Sequence, residues 1–256
     1  ITVNAANDGI KGRDCIAVKD GVITINAGGD GMQSNNDEDV EKGYVSIEGG
    51  TLTITAKMDG IQAETSLLVS GGTLALVSGG GSVNGVSQMN WGGPGMGNTA
   101  TGSDTADSAK GLKAGVDVTV TGGTIYIDSS DDAVHSNDSM SINGGILTLA
   151  SGDDGIHADT ILNINGGNVN ITQSYEGLES ATIIINAGTI HLVSNDDGIN
   201  ASSGDAGVTM GRPGAGNFES GDNRLYINGG YIAVDAMGDG LDINGPIEMT
   251  EGMVIV

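Results

Sequence analysis

A short motif, Asp-Gly followed by an apolar residue, returns along this chain about every 22 residues, and that return limits the possible folds more than any other feature. It reads Asp8-Gly9-Ile10, Asp30-Gly31-Met32, Asp59-Gly60-Ile61, Asp154-Gly155-Ile156, Asp197-Gly198-Ile199 and Asp239-Gly240-Leu241. Lys110-Gly111-Leu112, Asp132-Ala133-Val134 and Glu176-Gly177-Leu178 are variants in the same phase. Self-similarity at a fixed period marks a stacked repeat architecture. Between motifs, one uninterrupted unit divides into three short alternating runs: Asp154 to Ala158, Thr160 to Asn165 and Gly166 to Thr172. Such runs, bounded by turn residues, read as short strands. Glycine pairs mark the corners at Gly28-Gly29, Gly49-Gly50, Gly71-Gly72, Gly122-Gly123, Gly144-Gly145, Gly166-Gly167 and Gly229-Gly230. A residue without Cβ turns there with positive φ at no steric cost.

The pattern predicts an all-β fold: a right-handed parallel β-helix (β-solenoid) with three strands per coil of about 22 residues and about ten coils. Residues 1–256 form a single domain in this reading, with loop insertions at 35–43, 79–108 and 202–222. One coil cannot bury its own apolar side, but stacked coils form a continuous column. Ile10, Met32, Ile61, Leu112, Val134, Ile156, Leu178, Ile199 and Leu241 are the expected inward stack. A sandwich of hairpins would need two-residue turns and no strict period. Helical periodicity of useful length is absent.

Composition narrows the function. Glycine numbers 46 and proline 3, but without a Gly-X-Y period, which excludes collagen. A hydrophobic share of 38%, arranged in regular runs, argues against disorder, and 3% aromatics leaves the core to aliphatic side chains. The net charge of −24 excludes nucleic acid and anionic membrane surfaces as partners. No apolar run reaches the ~18 residues of a membrane span. The single cysteine, Cys15, excludes an internal disulfide and a cysteine zinc site; between apolar neighbours, it is expected to be buried as a small apolar residue. No secretory leader is visible, and Ile1-Thr2-Val3 opens in mid-strand, as a processed fragment would.

Stacking turns sequence columns into physical ladders. The residue before each motif glycine forms an acidic column, and the doublets Asp131-Asp132, Asp153-Asp154 and Asp196-Asp197 thicken it. Adjacent coils lie about 4.8 Å apart. Bare carboxylates at that spacing repel by ~1 kcal/mol in water and several times more near a surface. A calcium ion, with its oxygen ligands at about 2.3–2.6 Å, would bridge two coils and remove the repulsion. Asp131, Asp132, Asp153, Asp154, Glu176 and Glu179 are the principal candidate metal ligands, with Asp196, Asp197, Asp30 and Asp59 along the same ladder. The insert Asn35-Asn36-Asp37-Glu38-Asp39 is a second candidate. Magnesium demands a stricter octahedron, and zinc would need more nitrogen than His135 and His157 supply. A plain structural reading, that Asp-Gly is a good turn, accounts for one acid per turn but not for the doublets.

All three insertions adjoin the motif strand, so they would wall a groove floored by Lys11, Gln33, Gln62, Lys113, His135, His157, Glu179 and Asn200. A linear polymer fits such a floor. Lys113, His135, His157, Asn200, Trp91 and Arg212 are the candidate carbohydrate contacts. Trp91 either stacks on a sugar ring or pins its own Gly/Pro-rich loop; Arg212 and Lys113 pair either with uronate carboxylates or with neighbouring aspartates.

The Asp-Gly-Ile coils, the Gly-Gly corners and the inserts Gly93-Pro94-Gly95-Met96 and Met210-Gly211-Arg212-Pro213-Gly214 carry a resemblance. Along essentially its whole length the chain resembles the clostridial parallel β-helix carbohydrate-binding proteins that bind cellulose and polygalacturonic acid, related in shape to the pectate lyases. That resemblance implies a monomeric, secreted or cell-surface, calcium-dependent protein. It would bind acidic plant cell-wall polysaccharide (polygalacturonate or pectin), with cellulose as a second ligand, and without catalysis. One alternative is a calcium-dependent pectate lyase acting by β-elimination with Lys113 as base. However, the positions about two coils beyond the aspartates, where those lyases carry their lysine, hold Glu176 and Glu179. A structural surface adhesin is the other alternative.

Overall fold

The computed structural model describes residues 1–85, 108–202 and 223–256. Among them the chain is all-β apart from one 3₁₀ turn at Ser82–Asn84. Its strands lie in two parallel sheets that together make a solenoid-like stack.

The first sheet has ten strands, ordered as they occur in the chain, from Thr2–Ala5 and Val22–Ala27 to Tyr231–Ala236 and Met253–Ile255. Each strand pairs with its counterpart one repeat on: Thr2 with Thr24, Ile125 with Leu147. The insertion at 79–108 does not disturb the register, since Thr73 pairs with Thr124 and Ile61 with Leu112 across it. The second sheet holds two strand columns, one carrying the Asp-Gly motif and one the strand after it. They fuse where Ile156–Ile164 and Leu178–Ile185 run through both.

Period-2 alternation sets the core. In Thr51–Ala56 every second residue, Leu52, Ile54 and Ala56, is buried while the threonines between face out. The expected inward stack is present: Met32, Ile61, Leu112, Val134, Ile156, Leu178 and Ile199 are fully buried and in register. Ile10 and Leu241, near the two ends, are partly covered. Each fully buried aliphatic side chain contributes about 1.5–3 kcal/mol.

The corner glycines behave as expected in the second position of each pair, with φ of 93° at Gly50, 92° at Gly123 and 93° at Gly145. Gly28-Gly29 differs, because neither residue lies at positive φ. There the missing Cβ serves close approach, since a Cβ on Gly28 would strike the carbonyl of Ala6. Cys15 also departs from expectation: it is exposed. Ile16 and Val18 take the inward positions of Cys15–Val18, so the same alternation points Cys15 outward.

Buried serines shape the turns that present the acids. The hydroxyls of Ser129 and Ser151 donate to the carbonyls of Asp131 and Asp153 at 2.9 Å, and Ser194 donates to that of Asp196 at 3.2 Å. The described start of the long insertion follows this corner. Ser82 N–H donates to Asp128 Oδ1 at 2.6 Å, and Gly85 lies against Gly152, too close for a Cβ on either. The chain returns at Ser108, whose hydroxyl donates to Asp59 Oδ1 at 2.8 Å. In the 35–43 insertion, Asn36 accepts from the N–H groups of Glu38 and Asp39, while Lys42 and Arg13 pair with Asp14 and Glu38.

Candidate functional site

The acidic column has a structural duty that the sequence reading missed. In coil after coil, one aspartate oxygen accepts the backbone N–H of the next residue in the column. Asp8 accepts from Asp30 at 3.2 Å, Asp30 from Asp59 at 3.0 Å and Asp59 from Lys110 at 2.9 Å. Asp132 accepts from Asp154 at 3.0 Å, Asp154 from Glu176 at 3.2 Å and Asp197 from Asp239 at 2.7 Å. The carboxylate satisfies an amide that the turn leaves without a ladder partner. Its second oxygen is left for the face of the sheet, and what that oxygen meets divides the column into two parts.

In the first part the acids are matched. Asp30 receives Gln33 Nε2 at 2.6 Å, and Gln33 in turn donates to Gln62 at 2.7 Å. Burial, then the charge of Asp59, pushes the Asp30 carboxyl up to about 6. Asp59 lies 3.4 Å from Lys113 Nζ, which also meets Ser108 Oγ at 3.2 Å. Lys110, a cation standing in the acidic column, places its ammonium 2.8 Å from Asp131 and 2.9 Å from Asp132. Burial opposes ionisation of Asp132, but the His135 hydrogen bond and the Lys110 charge outweigh it and hold that carboxyl below its ordinary range.

One coil on, the balance tips toward the acids. Asp154 is raised well above the usual carboxylate range by burial and by the charges of Asp132 and Asp153. Burial and the charge of Glu179 push Glu176 up to about 8. These groups line a cleft of about 630 Å³ together with Lys110, Asp132, Asp153, His157 and Glu179. Asp159 and Tyr175 also line it. A hydrogen bond to Asp196 and burial push the Tyr175 phenol up to about 12.

Three sets of side chains bring possible metal-ligand atoms within 4.8 Å of one another: Asp131–Asp132–Asp153, Asp132–His135–His157 and Asp154–His157–Glu179. The two imidazoles meet edge to face, with ring centroids 4.8 Å apart. The structure thus gathers Asp131, Asp132, Asp153, Asp154 and Glu179 as possible ligands, and Glu176 lines the same cleft. Asp30 and Asp59, on earlier coils, and Asp196 and Asp197, on a later one, lie outside these sets. The insert acids Asp37 to Asp39 are also outside them among the described residues. Of the candidate carbohydrate contacts, His135 and His157 line the cleft and Lys113 does not. Asn200 is buried, its Nδ2 donating to Glu176 Oε2 at 2.7 Å. Trp91 and Arg212 lie outside the described residues. Lys110, Asp159 and Tyr175 were not singled out from sequence. Lys110 carried a signal, as the one cation in the acidic column.

Known proteins add a family. A family model described as carbohydrate-binding domain-containing protein matches residues 1–155 and 140–215, two overlapping stretches that together cover most of the chain. No curated protein and no solved structure matches it. The chain belongs to the carbohydrate-binding domain-containing protein family.

Proposed function

We propose that this protein is a non-catalytic, calcium-dependent binding module for acidic polysaccharide of the polygalacturonate type, secreted or held at a cell surface. The reading includes a right-handed β-helix of about ten coils as the scaffold. The observation that carries it is the cleft itself: a carbohydrate-binding family member presents Asp132, Asp153, Asp154, Glu176 and Glu179 around one cavity with a single lysine, Lys110. A uronate carboxylate brought within 4 Å of one such acid meets ~1 kcal/mol of repulsion in water and ~4 kcal/mol near a protein surface. A polyanion enters only if a divalent cation reverses the local sign. The oxygen-only set Asp131–Asp132–Asp153 has the donor chemistry calcium prefers. Calcium there would take the place of the Lys110 ammonium and leave Lys110 to pair with the polymer.

Titration of polygalacturonate into the protein, with and without calcium, tests this, while ultraviolet absorbance reports unsaturated sugar ends. The expected result is binding heat that requires calcium, with no rise in absorbance. Binding that ignores calcium would refute the bridging role and favour a neutral glucan such as cellulose. Rising absorbance would make the protein a lyase.

A further inference from the structure

We infer that Asp154, His157 and Glu179 form a second metal site, of mixed nitrogen and oxygen donors, that takes a zinc-class divalent ion and keeps one coordination position open to the cleft. The inference goes beyond calcium-dependent polymer binding and stands whether or not a polymer binds.

The donor atoms lie within 4.8 Å of one another, with the Asp154 and Glu179 carboxyl groups also within hydrogen-bond reach of each other and His157 set off from both. His157 Nδ1 lies 3.3 Å from Asp154 Oδ2 and 3.3 Å from Glu179 Oε2. A charge-assisted hydrogen bond would be closer, about 2.7–2.9 Å, and one ring proton serves only one acceptor well. Two ligands each about 2.1 Å from a tetrahedral zinc sit about 3.4 Å apart. The neighbouring His135 shows the contrast: its Nδ1 is 2.8 Å from Asp132 Oδ2 and its Nε2 is 2.9 Å from Asn137 Oδ1, so both nitrogens are committed to hydrogen bonds.

The second oxygen of each proposed carboxylate ligand is held from outside the set. Asp154 Oδ1 accepts the Glu176 backbone N–H at 3.2 Å, and Glu179 Oε1 accepts the Ser202 hydroxyl at 2.8 Å. Asp159 Oδ1 lies 3.4 Å from His157 Nε2, close enough to tighten into the carboxylate–imidazole contact that orients a metal-bound histidine once Nδ1 turns to an ion. Among the described residues no lysine or arginine ion pair reaches Asp154 or Glu179, whereas Lys110 serves Asp131 and Asp132. Two carboxylates and a neutral imidazole balance one divalent charge. One coil on, Asn200 Oδ1 is buried without a hydrogen-bond partner, on the same face as Glu179. Nitrogen separates this set from the oxygen-only one, because imidazole suits zinc and its neighbours while calcium takes oxygen, and the two carboxylates supply the ligands that the sequence reading had expected only from further nitrogen.

The test is calorimetric titration of zinc into the chelator-treated full chain in excess calcium, with cobalt(II) in a parallel visible-absorption titration. The expected result is one zinc equivalent retained against calcium and a cobalt ligand-field band from low-coordinate nitrogen and oxygen. His157→Gln should abolish both, and Asp159→Asn should weaken zinc by about 10–100-fold. Asp131→Asn should weaken calcium and leave zinc unchanged. Melting curves in chelator confirm that each variant is folded. No zinc binding by the folded wild type, displacement of zinc by calcium, or unchanged zinc affinity in His157→Gln would each overturn the inference. A failure of polygalacturonate binding alone would not touch it.

Discussion

Asp132 holds Asp154 in place through the backbone: Asp132 Oδ1 accepts the Asp154 N–H at 3.0 Å, while Asp132 Oδ2 faces the Lys110 ammonium at 2.9 Å. One carboxylate therefore joins two coils and neutralises a half-buried cation. Asp132→Ala leaves both the amide and the ammonium without it, and breaking a buried pair from one side costs about 3–5 kcal/mol. For a chain of this size about 1 kcal/mol moves the melting temperature by roughly 2–4 °C, so a drop of about 10 °C is expected. Asp132→Asn keeps an oxygen for the amide and should lose clearly less. Circular-dichroism melts of the two variants decide it; equal losses would mean that the backbone bond carries no weight.

Lys110 is a built-in counter-ion, and that leads to a linked expectation. Lys110→Met removes the ammonium lying 2.8 Å from Asp131 and 2.9 Å from Asp132. Without added metal the variant should melt below the wild type, because the carboxylates then face each other bare. With calcium the order should narrow or reverse, since the ion no longer competes with the ammonium. An ion bound only to the folded state at about 100 times its Kd adds about 2.7 kcal/mol. Melts with chelator and with calcium measure both halves; equal calcium stabilisation of the two proteins would place the ion elsewhere.

How far the sequence could be read follows from what a repeat encodes. Period and alternation fix columns, so the stack from Met32 to Ile199 and the ladder Lys113–His135–His157–Glu179 were legible. Cys15 was legible by the same parity, but its apolar neighbours misled. Columns do not encode the direction of a long side chain. Nothing in the chain says that Lys110 reaches Asp131 and Asp132, or that Asp159 faces His157. The amide-capping role of the acidic column was hidden for another reason: a turn aspartate ordinarily bonds its own backbone, whereas here it bonds the next coil.

Stability of the metal-free protein should fall as pH rises. The folded state holds the Asp30 carboxyl at about 6 against an ordinary 3.8, and Glu176 at about 8 against 4.5. Both carboxyls bind protons more tightly folded than unfolded. Their contribution is complete below the ordinary carboxylate range and is lost progressively as pH climbs through about 6 and then about 8. Asp30→Asn should therefore raise the melting temperature above pH 6 and change little in acid. A divalent ion in the cleft should flatten the part due to Glu176, because cation and proton compete for the same oxygens. Melts across this range in chelator and in metal test it; stability that rises with pH in chelator would contradict it.

The corner glycines permit a last expectation that is independent of any ligand. Gly145 sits at φ 93°, where a Cβ would lie 3.1 Å from the Gly122 carbonyl oxygen of the preceding coil. Gly145→Ala meets both an unfavourable backbone region and a crowded stack, each present only in the folded state. The backbone term alone is about 1–2 kcal/mol. Gly166 differs, with φ outside the positive range and a Cβ 3.0 Å from the Asn143 carbonyl oxygen, so Gly166→Ala carries the crowding without the backbone term. Side-by-side denaturant melts should show Gly145→Ala as the more destabilised. Equal losses would mean that stack crowding, rather than backbone conformation, fixes glycine at these corners.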